Sequence, residues 1–275
     1  MHLTNCASRI TATKKDGYFR KRRDLKIMIM VCILFFNLNM LSANDRWREY
    51  LKQDWTELKR NLTFRTAIIS GGWLAGMYMV SAWDEDMNTL VKPLYRGGFT
   101  TYFDAVNELG NAPYAIPISL GITGLSLIGN DAKFQDAAFT SSESMIATGI
   151  VTALVKAIIG RNRPDENKGP RSFHPFSGFD SFPSGHTSTA FALVTPWVFY
   201  YPRPLTYLLF ILPASTGIAR MIYDRHWATD VISGGLVGFV IGASLASWHK
   251  NFAEEKKYYT IEQSPRMLFS FTWHL

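Results

Sequence analysis

The sequence predicts an all-α protein: a helical transmembrane bundle of about six spans, with its chemically distinctive side chains at one membrane face. Three observations carry that expectation. Six long stretches between residues 66 and 249 are uncharged or nearly so, the unusual polar residues collect where those stretches end, and most of the net charge sits in a short leader. Of the +7 total, residues 1–26 supply +6 through eight Lys or Arg against Asp16 and Asp24, so the body is close to neutral. A neutral body lacks the basic surface that nucleic-acid binding requires, and no nucleic-acid partner is expected. The two cysteines, Cys6 and Cys32, both lie in the leader region, which excludes a disulfide framework or thiolate metal site in the body.

Taken in order, residues 27–43 form an uncharged, mostly apolar run behind the basic cluster and end in Ser42 and Ala43. That order fits a secretory signal, with an uncleaved N-terminal anchor as the rival reading. Residues 44–63 place Trp47, Tyr50, Leu51, Asp54, Trp55 and Leu58 at helical spacing among basic residues, the pattern of an amphipathic interfacial helix. Residues 64–250 hold the uncharged stretches: Thr66–Trp83, Ala112–Asn130, Ala137–Val155 (interrupted only by Glu143), Thr187–Pro202, Pro204–Ala219 and Val231–His249. At about 1.5 Å per residue, 18 helical residues cover about 27 Å, close to the hydrocarbon core of a bilayer. One such run could be a buried helix of a soluble protein, but six in succession argue for a membrane bundle. The pairs Gly72/Gly76, Gly234/Gly238 and Gly238/Gly242 offer close helix approach in lipid. Residues 251–275 form a largely polar tail.

Charges inside a membrane protein are expensive unless they serve a purpose. Here they gather at three helix ends: Lys156 to Arg163-Pro164, Pro183-Ser184-Gly185-His186, and Arg220 to His226 and Asp230. Because spans alternate in direction, all three ends fall on one face. Lys156, Arg163 and Arg220 supply fixed positive charge and donors suited to a phosphate dianion. Ser184 can cap the helix it opens, and Gly185 lets backbone N–H groups approach an anion. His226 and Asp230 are four residues apart at a helix start and share a face. A carboxylate beside an imidazole stabilises the charged ring, which suits a nucleophilic histidine and leaves His186 as general acid. Each feature alone has a structural explanation, such as a snorkelling lysine, a capped turn or a surface pair; their occurrence together in this order does not.

These three segments resemble the three-part signature of the type 2 phosphatidic acid phosphatases, whose superfamily includes bacterial class A acid phosphatases and vanadium haloperoxidases. The resemblance covers roughly residues 64–250. It implies that Lys156, Arg163 and Arg220 hold phosphate with help from Ser184 and Gly185, that His186 is the acid, that His226 becomes phosphohistidine, and that Asp230 orients His226. It also implies hydrolysis with no metal and no cofactor. One position departs: Ala219 stands where the family usually has serine, and one phosphate contact is expected to be missing.

The expected function is therefore hydrolysis of a membrane lipid's phosphomonoester or pyrophosphate headgroup, with the bilayer and a phosphorylated lipid as partners. Phosphatidate, phosphatidylglycerophosphate, undecaprenyl pyrophosphate and lipid A phosphates all fit such a site. A haloperoxidase-like activity and a non-catalytic lipid-binding role are the alternatives. Long apolar stretches disfavour the first, and a complete acid–nucleophile pair disfavours the second. Glu143 reads as an interhelical hydrogen-bonding group or a part of the substrate path, and Arg171 and His174 as loop residues able to gate a headgroup. Counting Lys and Arg in the connections gives twelve on one side and eight on the side of the site. The positive-inside rule then puts the site at the outer face of a bacterial inner membrane, although a cleaved signal would reverse every later span.

Overall fold

The computed structural model describes residues 44–96 and 98–256, so the leader and residues 257–275 lie outside the described residues, and with them the signal-or-anchor reading. The described residues from Asp45 to Lys256 belong to one compact unit. Its helices are α1 (Asp45–Asn61), α2 (Phe64–Val80), α3 (Asp84–Val91), α4 (Phe99–Leu109), α5 (Ala112–Ser126), α6 (Ala132–Ile159), α7 (Gly185–Tyr200), α8 (Pro204–Ile222) and α9 (Ala228–Glu255). No strand occurs among the described residues. A 3-10 turn at Leu208–Phe210 interrupts α8.

Each of the six uncharged stretches becomes helix. By length and composition, α6, α8 and α9 can cross a membrane. The other three are shorter, with 17 residues in α2, 15 in α5 and 16 in α7. Polarity runs opposite to that of a soluble bundle. Ile68 and Ile69 of α2, Ile118 and Leu125 of α5, and Ile150 and Leu154 of α6 all face outward. Inside, α6 presents Thr140, Ser141, Ser142, Ser144, Thr148 and Thr152. Small hydroxyl residues let helix backbones approach and bond across the seam. Ser142 meets Ser119 at 2.7 Å and Thr123 at 2.8 Å on α5, while Ser141 donates to the Leu193 carbonyl of α7 at 2.7 Å.

Helix α7 is central, packed against α9, α6 and α8, and α8 in turn lies on α4. The α7–α9 crossing explains two of the glycine pairs. A Cβ at Gly234 would lie 2.4 Å from the Ser184 carbonyl oxygen, and one at Gly238 would lie 2.1 Å from that of Ser188. At Gly72 and Gly76 nothing comes within 4 Å, so that pair makes no helix contact among the described residues. The helix expected at 44–63 forms as α1, and its Trp47 and Tyr50 are fully buried against the bundle. The final helix continues past residue 250 to Glu255.

Candidate active site

The end of α6, the start of α7, the end of α8 and the start of α9 lie at one end of the bundle, and with them every residue singled out above for phosphate chemistry. Gly160 ends α6 in the left-handed region at φ 57°, and a side chain there would strike the His174 carbonyl. Only glycine satisfies both demands. The chain then turns sharply and delivers Arg161 and Arg163 beneath the helix end. Lys156, in the last turn of α6, donates to the Asp180 carbonyl, and Arg163 holds the Asp180 carboxylate through Nε at 3.0 Å and Nη2 at 2.9 Å. A Cβ on Gly185 would sit 3.7 Å from Cε of Lys156, which shows how closely the first two motifs approach. Ser184 precedes α7, yet its hydroxyl bonds Thr187 Oγ1 at 2.9 Å rather than a helix N–H, so the expected side-chain cap is not made. Its backbone N–H donates to the Asp230 carbonyl at 2.9 Å and ties the second motif to the third.

Arg220 is buried at the end of α8 and donates from Nη1 to Asn107 Oδ1 of α4 at 2.8 Å. Its Nε is buried with no hydrogen-bond acceptor. An unsatisfied guanidinium donor is costly unless something anionic meets it. Lys156, Arg163, Arg220 and His226 all exert appreciable electrostatic influence on His186, so the residues of all three segments share one field.

His226 lies between α8 and α9 and is fully enclosed. Its Nδ1 is 3.6 Å from Asp230 Oδ2, beyond hydrogen-bond length, and has no nearer acceptor. Burial holds the imidazole far below its ordinary range, at about 3; Asp230 opposes that shift, while Lys156 and Arg163 reinforce it. A neutral ring at physiological pH keeps a nitrogen lone pair free.

Asp230 is itself fixed from several sides. Ser181 donates to Oδ2 at 2.5 Å, the Trp227 N–H donates to it at 2.9 Å, and Arg161 Nη1 reaches Oδ1 at 2.5 Å. Arg161 also meets Asp84 Oδ2 at 2.6 Å through Nη2, and Asp84 accepts from the Thr229 N–H at 2.8 Å and hydroxyl at 2.7 Å. Both Arg161 and Asp84 are shut off from solvent. Trp227 adds a lock, donating from Nε1 to the Asn162 carbonyl at 2.9 Å.

Sequence reasoning missed Arg161, Asp84, Asn107, Ser181 and Trp227. Asp84 and Asn107 come from helices outside the three segments, so spacing could not have found them. Arg161 lies inside the first segment, and its signal was a second arginine next to a helix end. Ala219, next to Arg220, is fully buried in an apolar cluster with Phe103, Val106 and Ile222. Arg171 stacks on Tyr78 with its guanidinium carbon 5.3 Å from the ring centre, and His174 bonds Ser172 at 3.1 Å; both serve the 161–186 loop. Glu143 lies at the other end of the bundle, 3.6 Å from His249. Beside Arg161, an apolar cavity of about 250 Å³ opens between α2 and the end of α6, lined by Leu74, Met77, Tyr78, Ile158, Phe173 and Phe182.

Comparison with known proteins agrees with this geometry. The model of the PAP2 superfamily matches residues 137–254, the stretch that carries all three segments. A lipid A 1-phosphatase of Porphyromonas gingivalis is 31% identical over 157 residues, covering 55% of this chain and 32% of the relative. One from Rhizobium etli is 36% identical over 98 residues, covering 33% of this chain and 41% of the relative. The chain thus spans a third to two fifths of the length of these curated relatives. A transmembrane PAP2-type phosphatidylglycerolphosphate phosphatase from Bacillus subtilis shares the fold, with a TM-score of 0.52 at 20% identity over 72% of this chain and 100% of that one. Residues 137–254 are therefore similar to the PAP2 superfamily, and the chain is a membrane protein.

Proposed function

We propose that the chain is a membrane lipid phosphatase that works through a phosphohistidine. The observation that supports this best is the meeting of three basic side chains, an enclosed neutral His226 and His186 at one end of the bundle, with Arg220 Nε left unbonded. Lys156, Arg163 and Arg220 bind the phosphate oxygens, aided by Ser184 and the N–H of Gly185 at the start of α7. Asp230 addresses Nδ1 of His226, so Nε2 attacks phosphorus. Bound phosphate offsets the charge of the basic side chains and lets His186 carry a proton, which it gives to the leaving oxygen as the phosphorus–oxygen bond to the lipid breaks. Water then attacks the phosphohistidine, His186 takes back a proton, and phosphate leaves. Asp84 and Arg161 are positioning residues: they aim Asp230, and through it His226. No step requires a metal.

The relatives named as lipid A 1-phosphatases make a glycolipid phosphate the first substrate to try, and the apolar cavity beside Arg161 offers room for part of an acyl chain. Phosphate release from mixed micelles of lipid A, phosphatidate, phosphatidylglycerophosphate and undecaprenyl pyrophosphate tests the proposal. Release from at least one lipid by the native protein, absent in His226→Ala, is expected. No release from any of the four overturns the reading. The charge count puts the site at the outer face of an inner membrane. In a Cys6- and Cys32-free variant, single cysteines at 165–180 should react with an impermeant maleimide in intact spheroplasts. Silence there, with labelling at 251–256, reverses the orientation.

A further inference from the structure

At the end of the bundle away from the phosphate residues, Asp54 of α1, Glu143 of α6 and His249 of α9 converge. Their ligand atoms all lie within 4.8 Å of one another. His249 Nε2 is 3.1 Å from both oxygens of Asp54 and 3.6 Å from Glu143 Oε2. Glu143 and Lys156 are 13 positions apart on one helix, about 20 Å along its axis, so this cluster is separate from the candidate active site.

The hydrogen-bond pattern fixes which face of the imidazole is available. Thr140 gives its hydroxyl hydrogen to the Asp136 carbonyl at 2.7 Å, so its oxygen accepts from His249 Nδ1 at 2.8 Å. With Nδ1 turned to Thr140, Nε2 is the ring nitrogen that faces both carboxylates. Tyr50 stacks on the ring at 4.3 Å and holds it in plane. His249 is fully buried, and Glu143 Oε2 is sealed from solvent without a hydrogen-bond partner. Among the described residues neither carboxylate pairs with a lysine or arginine. Two buried carboxylates facing one imidazole nitrogen are balanced by positive charge between them, which a metal ion or protons can supply.

We infer that Asp54, Glu143 and His249 form a binding site for a divalent first-row metal ion, zinc by donor set, that clamps α1 onto α6 and α9. One imidazole nitrogen and two carboxylates suit zinc, and a histidine ligand ordinarily donates its second N–H to a fixed acceptor, as Nδ1 does here to Thr140. Metal–ligand bonds of about 2.0–2.2 Å in a tetrahedron put ligand atoms about 3.3–3.6 Å apart, close to the 3.1 and 3.6 Å from His249 Nε2 to Asp54 and Glu143. The ion's two charges balance the two carboxylates, and the fourth position is left for water. The site is structural and takes no part in phosphate transfer.

The test uses the full chain without a histidine tag, purified in detergent, stripped with EDTA and titrated with zinc chloride or cobalt chloride. The native protein should take up one equivalent of zinc, show the visible bands of a low-coordinate cobalt site, and melt at a higher temperature with zinc than without. Glu143→Gln and Asp54→Asn, which preserve shape, should each weaken binding at least tenfold, and the folded fraction of each should release phosphate at the native rate. Failure of the stripped native protein to bind zinc or to gain thermal stability from it overturns the inference and assigns the cluster to protons. Binding unchanged in both variants overturns it as well.

Discussion

Asp136, beneath α1, and the Arg220–His226 pair, at the opposite end of the bundle, are buried charged groups treated in opposite ways. At the α1 end, Asp136 is enclosed and fully engaged: Trp47 Nε1 donates to it at 3.2 Å, Tyr50 Oη at 2.7 Å, and Arg46 pairs with it at 3.2 Å. At the other end, Arg220 Nε and His226 Nδ1 are buried and left without partners. A satisfied buried charge holds elements together, while an unsatisfied one is poised for something that is not always present. Both ends cost desolvation; Asp136 recovers it within the chain, whereas Arg220 Nε, His226 Nδ1 and, in the cluster beneath α1, Glu143 Oε2 do not. The difference teaches where to expect a ligand: at the buried polar atoms left incomplete, whichever end of the bundle holds them.

The largest effects should break that comparison at the Arg220–His226 end. His226→Ala and His186→Ala should each lower phosphate release by about 10²–10⁴-fold while the protein still folds into membranes, because each removes a separate chemical step. Near-normal turnover in either, measured by phosphate release per folded molecule, removes the proposed roles. At the α1 end, Asp136→Ala should cost about 3 kcal/mol of stability, since it strips a partly buried arginine and two buried aromatic donors of their shared acceptor. Detergent-phase melting reads that loss, and the folded fraction should keep its native rate. A drop in rate with unchanged melting would mean that the two ends are coupled.

A finer test lies in the Arg161 relay. Arg161→Lys keeps the charge but cannot reach Asp84 and Asp230 at once with a fork. A small misplacement of His226 should then cost up to about a hundredfold in kcat with little change in KM. Restoration of the rate by lysine to the native value would show that charge alone suffices. The smallest effect concerns Ala219→Ser. Its hydroxyl would enter the Phe103–Val106–Ile222 cluster and bond back along its own helix, so a loss of about 1 kcal/mol and an unchanged KM are expected. Tighter vanadate binding would place residue 219 against the phosphate instead.

Much of this molecule was legible along the chain. Uncharged stretches became helices because a segment without charge gains most by bonding its own backbone, and their ends were marked by Gly160, Pro164, Pro183 and Pro204. Side-chain type picked out the candidate residues that the fold gathers at one end, since Lys156, Arg163, His186, Arg220, His226 and Asp230 have little structural reason to stand at membrane helix ends. The glycine pairs were only half legible: Gly234 and Gly238 meet α7, whereas Gly72 and Gly76 meet nothing. Spacing reveals that a close approach is possible, and only the neighbouring helix decides whether it occurs.

What the sequence by itself determined were the local properties: helix-forming stretches, their approximate limits, and the residue types able to bind and transfer phosphate. Tertiary structure decided the partners. Asp84 joins Arg161 across 77 positions, Asn107 meets Arg220 across 113, and Asp54 meets His249 across 195. Even Ala219, adjacent to Arg220, turned out to face the apolar seam with α4. The physical reason is that a helix assigns each side chain a direction relative to its own axis, while burial and charge pairing depend on the rotation at which that axis docks against others. That rotation follows from many small hydroxyl and glycine contacts acting together, and no single stretch of residues contains it.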